Sequence, residues 1–238
     1  MEDFIKLTGR PKGKRYVISD IHGCYNTFKR LVEEVIGLTK SDWLFLLGDY
    51  IDRGQSSKAV LDYILDLQES GYSLFPLRGN HEDDLLDYAK GELRFLLWHL
   101  NKHTFPDILE NDQIIDRYSI FLNSLPYYYE LDDYYLVHAG FNFKSDSPFE
   151  DKKAMLWTRY FNPPKERLNG KRIIHGHDPV YMEVILEHIE KGYPSIPLDN
   201  GAVYAGKHKI YDTSHMGRLC AYNMDKNILH TQVNIDNK

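Results

Sequence analysis

The sequence predicts an α/β fold in which two β-sheets pack face to face with helices outside them, and in which the N-terminal half has a βαβαβ order. From about residue 16 to residue 77, short apolar runs alternate with segments whose apolar residues recur every three or four positions. Towards the C-terminus, short segments of alternating polarity are typical of antiparallel strands. With 238 residues and 42% hydrophobic content, we expect a single domain over residues 1–238.

The N-terminal half contains three predicted strands and two predicted helices. The strands are expected at Tyr16 to Ser19, Trp43 to Leu47 and Ser73 to Leu77. The spacing of apolar residues from Phe28 to Ile36 predicts the first helix. Ser56 is a typical cap for the start of the second helix, and Gly71 marks its end. This order predicts a largely parallel sheet.

The C-terminal half is less regular. Leucines and aromatic residues spaced by three and four predict a helical segment over residues 82–126, beside the functional site. After His177 the pattern changes, and we expect antiparallel strands of a second sheet. These strands are predicted around Val180 to Leu186, Lys209 to Tyr211, Leu219 to Asn223 and Ile228 to Val233.

Composition excludes several classes of protein. The net charge of −6 argues against a protein that binds nucleic acid duplexes in general. No apolar run approaches the roughly 20 residues of a membrane span, and the N-terminus lacks a secretory signal, so we expect a cytoplasmic protein without a membrane partner. Residues 144–172 are locally basic, which fits either a solvated face or the attraction of a phosphorylated substrate.

Five polar motifs each follow a short apolar run. They are Asp20-Ile21-His22, Gly48 to Arg53, Gly79-Asn80-His81-Glu82, His138 in Val137 to Gly140, and His175-Gly176-His177. Because ligands bind at the carboxyl ends of strands in open α/β sheets, we expect these motifs to converge on one site. Together they provide the groups needed for metal-assisted hydrolysis of a phosphate ester.

The residue types suggest how two metal ions could be held. Asp20 and His22 are separated by one residue, so in an extended backbone both side chains point the same way. The carboxylate of Asp49 could bridge two ions about 3.5–4 Å apart, and Asn80 adds an amide oxygen. His138 and His177 would complete the shell of the second ion. Oxygen and imidazole ligands fit manganese, iron or zinc better than a soft metal, and manganese is the ion expected in vitro.

The remaining polar residues of the motifs suggest roles around the ions. His81 is adjacent to Asn80 at a tight turn, so it can face a leaving group. Arg53 offers a fork of donors for phosphate oxygens. His175 is interpreted as a structural residue that could support the ligands.

The chain resembles the phosphoprotein phosphatase family of calcineurin-like metallophosphoesterases, especially the small bacterial and phage-type serine/threonine phosphatases, and it is also similar to symmetrical bis(5'-nucleosyl)-tetraphosphatases. Besides the five motifs, the resemblance rests on Leu156 to Arg159 and Leu198 to Val203. Asp178 and Asn200 depart from the family pattern, since relatives often have threonine at both positions. The resemblance covers about residues 14–233 and implies the two-sheet metallophosphoesterase fold.

The resemblance also implies a role for each site residue. One ion is expected on Asp20, His22 and Asp49, and the second on Asp49, Asn80, His138 and His177. His81 would protonate the leaving group with Asp52 orienting it, while Arg53 and Arg159 would hold the phosphate. Water activated by the two ions would attack phosphorus directly, without a covalent phosphoenzyme.

Three functions are considered. The leading one is hydrolysis of phosphate monoesters, with phosphoserine or phosphothreonine in proteins as the substrate, although a small phosphate-containing substrate is also compatible. The alternative is hydrolysis of dinucleoside polyphosphates, which an aromatic platform formed by Trp98, Phe105 or Trp157 would favour. The third is a catalytically inactive binding scaffold, which should lack ligands or the acid.

Overall fold

The computed structural model describes residues 3–91, 107–111, 113–206 and 213–236, and these form two five-stranded sheets and one short hairpin. The strands in the first part of the chain are β1 (Phe4–Lys6), β2 (Arg15–Ile18), β3 (Trp43–Leu46) and β4 (Ser73–Pro76). They continue with β5 (Leu109–Glu110), β6 (Gln113–Ile114), β7 (Tyr128–Glu130), β8 (Tyr134–Val137), β9 (Arg172–His175), β10 (Ser195–Pro197), β11 (Arg218–Asn223) and β12 (Ile228–Val233).

Six α-helices lie within the described residues. They are α1 (Tyr25–Arg30), α2 (Ser57–Glu69), α3 (Asn80–Ala89), α4 (Asp116–Ser124), α5 (Lys152–Trp157) and α6 (Met182–Glu190). A π-helical turn over Leu31–Val35 continues α1, so the predicted first helix is confirmed but changes its hydrogen-bond pattern midway. Ser56 is the N-cap residue of α2, although its side chain makes no capping hydrogen bond.

The first sheet has the order β12-β11-β2-β3-β4, and its members β2, β3 and β4 are the strands predicted in the N-terminal half. β2, β3 and β4 are parallel, as the βαβαβ pattern predicts. β11 lies antiparallel to β2, and β12 lies antiparallel to β11. The prediction that β11 and β12 belong to the second sheet is therefore wrong, because they extend the first one.

The second sheet has the order β1-β7-β8-β9-β10 and is mixed. β8, β9 and β10 are parallel, whereas β7 and β8 are antiparallel. The segment Val180 to Leu186 was predicted as a strand, but it lies mostly in α6, which buries Ile185. The segment Lys209 to Tyr211 lies outside the described residues.

The predicted helical segment over 82–126 is partly confirmed. It contains α3 and α4, while the two-stranded hairpin β5–β6 lies between them and was not predicted. Residues 92–106, including Trp98 and Phe105, lie outside the described residues. None of the helices in the part of the chain that the structure describes has the length and apolar character that a membrane crossing requires.

Alternation along the strands creates the layers of the fold. Val17 of β2 and Phe45 of β3 pack between the two sheets, together with Leu136 and Ile174 of the second sheet. Their neighbours in sequence, such as Ile18, face a second apolar cluster that α1 to α4 cover. A third cluster packs α5 against the outer face of the second sheet. Successive residues of a strand point to opposite faces, so each central strand contributes to two layers.

Candidate metal centre

The site lies where strands of both sheets end. Asp20 follows β2, Asp49 follows β3, and Asn80 begins α3 after β4. His138 follows β8 and His177 follows β9, so the second sheet adds its ligands from the other side. The structure therefore brings together all six residues that the sequence predicts as metal ligands.

The loops that hold these residues have an unusual backbone. Nine described residues other than glycine have a positive φ, and five of them belong to this site. They are His22, Asp49, Asp52, Arg53 and His177, with φ values of 45°, 51°, 71°, 68° and 67°. Such conformations cost roughly 1–3 kcal/mol each and cluster at functional sites. Gly176 is required for a different reason, because a Cβ at this position would overlap the Asp20 carboxylate.

Four residues form a first cluster of ligand atoms, named here the four-ligand site: Asp49, Asn80, His138 and His177. Nε2 of His138 lies 2.9 Å from Oδ1 of Asn80, 3.2 Å from Nδ1 of His177 and 3.5 Å from Oδ1 of Asp49. Nδ1 of His177 lies 2.9 Å from Oδ1 of Asn80. Two atoms bound to one ion at about 2.1 Å stand roughly 3.0–3.4 Å apart, so these separations fit a shared cation.

The protonation of His138 strengthens this interpretation. Its Nδ1 lies 2.9 Å from the carbonyl oxygen of Leu47, and a carbonyl can only accept, so the proton is on Nδ1. Burial lowers the pKa of His138, which keeps the ring neutral and leaves a lone pair on Nε2. That lone pair faces the acceptor oxygen of Asn80, and a cation between them would satisfy both.

The residues expected to hold the other ion, Asp20, His22 and Asp49, are named here the three-ligand site, and the Asp20 carboxylate accepts the backbone N–H of His177 at 3.0–3.1 Å. Nε2 of His22 lies 3.4 Å from Oδ2 of Asp49, while the other Asp49 oxygen faces His138. The two oxygens of one carboxylate are thus divided between the two clusters, as the bridging role predicted for Asp49 requires. Nδ1 of His22 donates to the carbonyl of Ile51, so its Nε2 is also free of a proton.

Arg53 contacts the three-ligand site directly. One of its terminal nitrogens lies 2.9 Å from Nε2 of His22 and donates to it. Burial and the Arg53 charge lower the pKa of His22 to about 3, so the ring is neutral. An ion bound by His22 would require Arg53 to release this atom, and the guanidinium would then be available for another acceptor.

The acidic residues of the site are crowded. Burial and the charges of Asp199 and Asp49 raise the pKa of Asp20, and burial raises that of Asp199 to about 7. Burial by itself would raise the pKa of Asp49 too, but the neighbouring histidines and Arg53 outweigh it and hold the pKa low. Buried carboxyl groups at this density are costly unless cations balance them, so the residues fit two metal ions.

His81 and Asp52 form a hydrogen-bonded pair at the edge of the clusters. Nδ1 of His81 lies 2.7 Å from Oδ2 of Asp52, and Nε2 lies 3.8 Å from Oδ2 of Asp49. Burial lowers the pKa of His81, but the charge of Asp49 and the hydrogen bond to Asp52 outweigh this effect and raise it. Among the described residues, His81 also belongs to a group with His22 and Asp49 whose ligand atoms lie within 4.8 Å of one another.

Glu82 is a buried residue whose importance the sequence did not reveal. Its Oε2 accepts the backbone N–H groups of Asp49 (2.8 Å) and Gly79 (3.0 Å), and its Oε1 accepts those of Tyr50 (2.8 Å) and Ile51 (3.3 Å). One carboxylate therefore joins the loop that carries Asp49 to the loop that carries Asn80. The signal was its position in the Gly79 to Glu82 motif, at the start of a helix.

Arg159 lies at the outer edge of the site. It donates to Oδ1 of Asp178 at 2.6 Å, and Asp178 directly follows the ligand His177. The side chain is 45% exposed, so it can reach solvent and substrate. His175 is buried, its ring packs edge to face against Phe161, and burial lowers its pKa to about 4.

A protein-family model and several curated proteins match parts of this sequence. A family model described as calcineurin-like phosphoesterase matches residues 13–216. A symmetrical bis(5'-nucleosyl)-tetraphosphatase from Dechloromonas aromatica (strain RCB) is 34% identical over 125 residues, which are 52% of this chain and 43% of the relative. The enzyme of the same name from Wigglesworthia glossinidia brevipalpis is 42% identical over 76 residues, which are 32% of this chain and 27% of that protein. The chain thus matches less than half the length of these curated relatives.

Solved structures share the fold over nearly the whole chain. A crystal structure of a candidate diadenosine tetraphosphatase has a TM-score of 0.68, with 18% identity and 96% of each chain covered. A protein serine/threonine phosphatase from Saccharomyces cerevisiae has a TM-score of 0.62, with 20% identity, and covers 98% of this chain and 84% of its own. Since the family model spans most of the residues and the fold agrees, this chain belongs to the calcineurin-like phosphoesterase family.

Proposed function

We propose that this metallophosphoesterase hydrolyses dinucleoside polyphosphates of the bis(5'-nucleosyl)-tetraphosphate type at a centre of two divalent ions. A centre of two ions is proposed because the two oxygens of Asp49 face different sites, one the four-ligand site and the other the three-ligand site. The choice of substrate is supported by the relatives named bis(5'-nucleosyl)-tetraphosphatases. Manganese is the expected ion, with iron or zinc as alternatives. A cytoplasmic location stays a prediction from the sequence.

The ions would sit on the six predicted ligands. Bound there, they would lower the pKa of a water molecule and neutralise charge on the phosphate. Arg53 would exchange His22 for a phosphate oxygen, and Arg159 would add a second positive charge from the outer edge. Arg53 would therefore change its hydrogen-bond partner when a substrate binds.

His81 is proposed as the general acid. Its Nδ1 proton is held by Asp52, so Nε2 is the atom that can deliver a proton to the leaving oxygen. Despite burial, the charge of Asp49 and the hydrogen bond to Asp52 raise the pKa of His81, which favours its protonated form. Asp52 is then a positioning residue, because it acts on the substrate only through His81.

The proposal is tested by assaying manganese-loaded protein on diadenosine tetraphosphate and on a phosphoserine peptide under the same conditions. We expect a higher kcat/KM for the dinucleotide, with ADP as the product of symmetrical cleavage. The Asp49→Asn variant, which loses one negative charge of the bridge, is the control for hydrolysis by a contaminating enzyme. A higher kcat/KM for the phosphopeptide would contradict the dinucleotide proposal and leave the metal centre in place.

The second candidate is the serine/threonine protein phosphatase first suggested by the sequence. The observation in its favour is the His81–Asp52 pair, because the alkoxide leaving group of a phosphoserine needs a proton donor far more than a nucleotide does. Sequence similarity gives this candidate less support, since the protein serine/threonine phosphatase resembles the chain in fold at only 20% identity. A scaffold without catalysis is disfavoured, because all six candidate ligands and the acid converge.

A further inference from the structure

A cleft of about 620 Å³ opens beside the four-ligand site. One wall is the loop that follows His138 and includes Phe143 and Lys144, and the other is the segment from Asp151 to Pro164. A backbone hydrogen bond of 2.8 Å from Ala139 to Met155 fixes the two walls relative to each other. The position of the cleft is therefore set by the same loop that carries a candidate metal ligand.

The cleft begins at the metal centre itself. The ring of Trp157 lines the cleft and lies edge to face with the ring of His177, with 6.0 Å between the centroids. Arg159 also lines the cleft, and its partner Asp178 is adjacent to His177 in the chain. A molecule whose phosphate reached the ions could therefore place its next group against Trp157.

The walls of the cleft are aromatic and unusually exposed. Trp157 is 43% exposed and Tyr160 is 95% exposed, although large rings are normally buried. Tyr160 has a φ of 54°, a strained conformation for a bulky residue. Phe143 and Phe161 also line the cleft, and their rings stack with 5.8 Å between the centroids. Strain and exposed aromatic surface beside a reactive centre both favour a binding role over simple packing.

The lining of the cleft also carries a surplus of positive charge. Lys144, Lys153 and Arg159 line it, with Asp151 as the acidic residue among its lining groups. The Asp151 carboxylate is occupied, because it accepts hydrogen bonds from Asn142 and from the N–H of Ala154. Aromatic faces combined with cationic side chains are the features that bind a base and its attached phosphates.

We propose that this cleft binds one nucleoside of a dinucleoside polyphosphate, with its base stacked on Trp157 and its phosphates neutralised by the lysines. This inference rests on the proposed function, since it names where the substrate extends beyond the phosphate at the ions. The cleft volume lies within the range of small-molecule sites. A stacked base is recognised by its face, so adenine and guanine are both expected to bind.

The first experiment compares Trp157→Leu with wild-type protein, each with manganese, on diadenosine tetraphosphate and on p-nitrophenyl phosphate, which has no nucleoside. Loss of one stacked base is expected to lower kcat/KM for the dinucleotide by about 5- to 150-fold, mainly through KM. The change for p-nitrophenyl phosphate should be much smaller. Tyr193→Leu removes an exposed aromatic ring outside the cleft and should match wild type on both substrates. Equal losses on both substrates in Trp157→Leu would overturn the proposal.

The second experiment does not require the dinucleotide to be a substrate. Inhibition of p-nitrophenyl phosphate hydrolysis is measured with AMP and with ribose 5-phosphate, which lacks the base. In wild type, AMP should inhibit more strongly, and Trp157→Leu should abolish the difference. Equal inhibition by both compounds in wild type would overturn the cleft proposal. If wild type instead discriminates AMP but fails to cleave diadenosine tetraphosphate, the cleft stands and the proposed function fails.

Discussion

The two candidate ion sites share Asp49 but differ in what faces their ligand atoms. In the four-ligand site, the lone pair of His138 meets the oxygen of Asn80, and no cationic side chain of the described residues donates to either atom. In the three-ligand site, the equivalent lone pair of His22 already receives an N–H group from Arg53. The ligand atoms of the four-ligand site are thus arranged to bind a cation. At the three-ligand site, a metal ion must first displace the guanidinium of Arg53 from His22.

This difference predicts stepwise binding of metal. The first equivalent should enter the four-ligand site, where only a cation relieves the contact between acceptors. The second equivalent should bind more weakly, because it competes with the Arg53 guanidinium. The same competition would couple the second ion to the substrate, since a phosphate that draws Arg53 away frees His22.

The largest effect is expected for His81→Asn, which decides whether the three-ligand site has a fourth member. If His81 is the acid, the variant keeps two ions and its kcat on an alkyl phosphate falls by about 10²–10⁴. The loss on diadenosine tetraphosphate should be smaller, because a phosphate leaving group with a pKa near 6 needs little protonation. Metal content by mass spectrometry of the native protein and kcat are measured together. A variant that binds one ion would make His81 a ligand.

The pH dependence of kcat tests the assignment of His81 as the general acid. The acid acts when protonated, so kcat on an alkyl phosphate should fall as pH rises through the pKa of His81. Asp49 and Asp52 raise that pKa against the effect of burial. Asp52→Asn removes one of these contributions, so the alkaline limb should move to lower pH. A shift to higher pH, or none, would contradict the role of the pair.

Arg53→Ala should change metal binding and catalysis in opposite directions. Without the guanidinium, Nε2 of His22 is free, so the second ion should bind more tightly in a calorimetric manganese titration. Loss of a charged hydrogen bond to the phosphate should lower kcat/KM by roughly 10- to 150-fold. Arg30→Ala, which removes a surface arginine paired with Glu34, should change neither quantity. Weaker binding of the second ion in Arg53→Ala would mean that the two sites do not differ as described.

Glu82→Gln should weaken both sites alike, because its carboxylate holds the loops that carry Asp49 and Asn80. An amide offers one acceptor where four N–H groups now meet two oxygens, so Asp49 should lose its fixed orientation. We expect both ions to bind about 10- to 100-fold more weakly, as is usual when groups that orient ligands are lost. Asp87→Asn on the same helix is the matched control. A loss confined to one ion would show that Glu82 does not act through the shared bridge.

Much of this metal centre could be predicted from the sequence, because each of its motifs directly follows the strand that positions it. Each motif follows an apolar run such as Tyr16 to Ser19, and strand ends in a parallel sheet meet at one edge. Sequence order does not specify which sheet a late strand joins. β11 pairs with β2, about 200 residues earlier, and nothing in its own alternation indicates that partner. The apolar run Val184-Ile185-Leu186 fits a strand or a helix equally, and packing decided for α6.

The contacts that distinguish the two ion sites could not be predicted, since each is a single long-range pairing. Arg53 was expected to face phosphate, and its hydrogen bond to His22 depends on two residues in left-handed conformations. Glu82 was visible within a motif, but the four N–H groups that it accepts come from two loops. Residue type shows that such groups can form strong hydrogen bonds, whereas their partners follow from the tertiary fold.

The smallest effect is expected for Asp236→Ala, at the far end of the chain. The Asp236 carboxylate accepts the N–H groups of Asn26 and Thr27 and the Thr27 hydroxyl, so it caps helix α1 from about 210 residues away. α1 directly follows the loop that carries Asp20 and His22, and its own N-cap residue Cys24 makes no side-chain cap. Loss of a cap costs about 0.5–2 kcal/mol, so the Tm should fall by a few degrees.

Asp236→Ala should also affect ion binding at the two sites differently. The three-ligand site depends on the loop before α1, whereas the four-ligand site is built on β3, β4, β8 and β9, so the second ion alone should bind more weakly in Asp236→Ala. Asp236→Asn keeps one carbonyl acceptor and should show a smaller loss in both Tm and affinity. Equal losses of affinity for the first and the second ion would show that the loop before α1 supports both sites. Only the position of Arg53 would then distinguish the two sites.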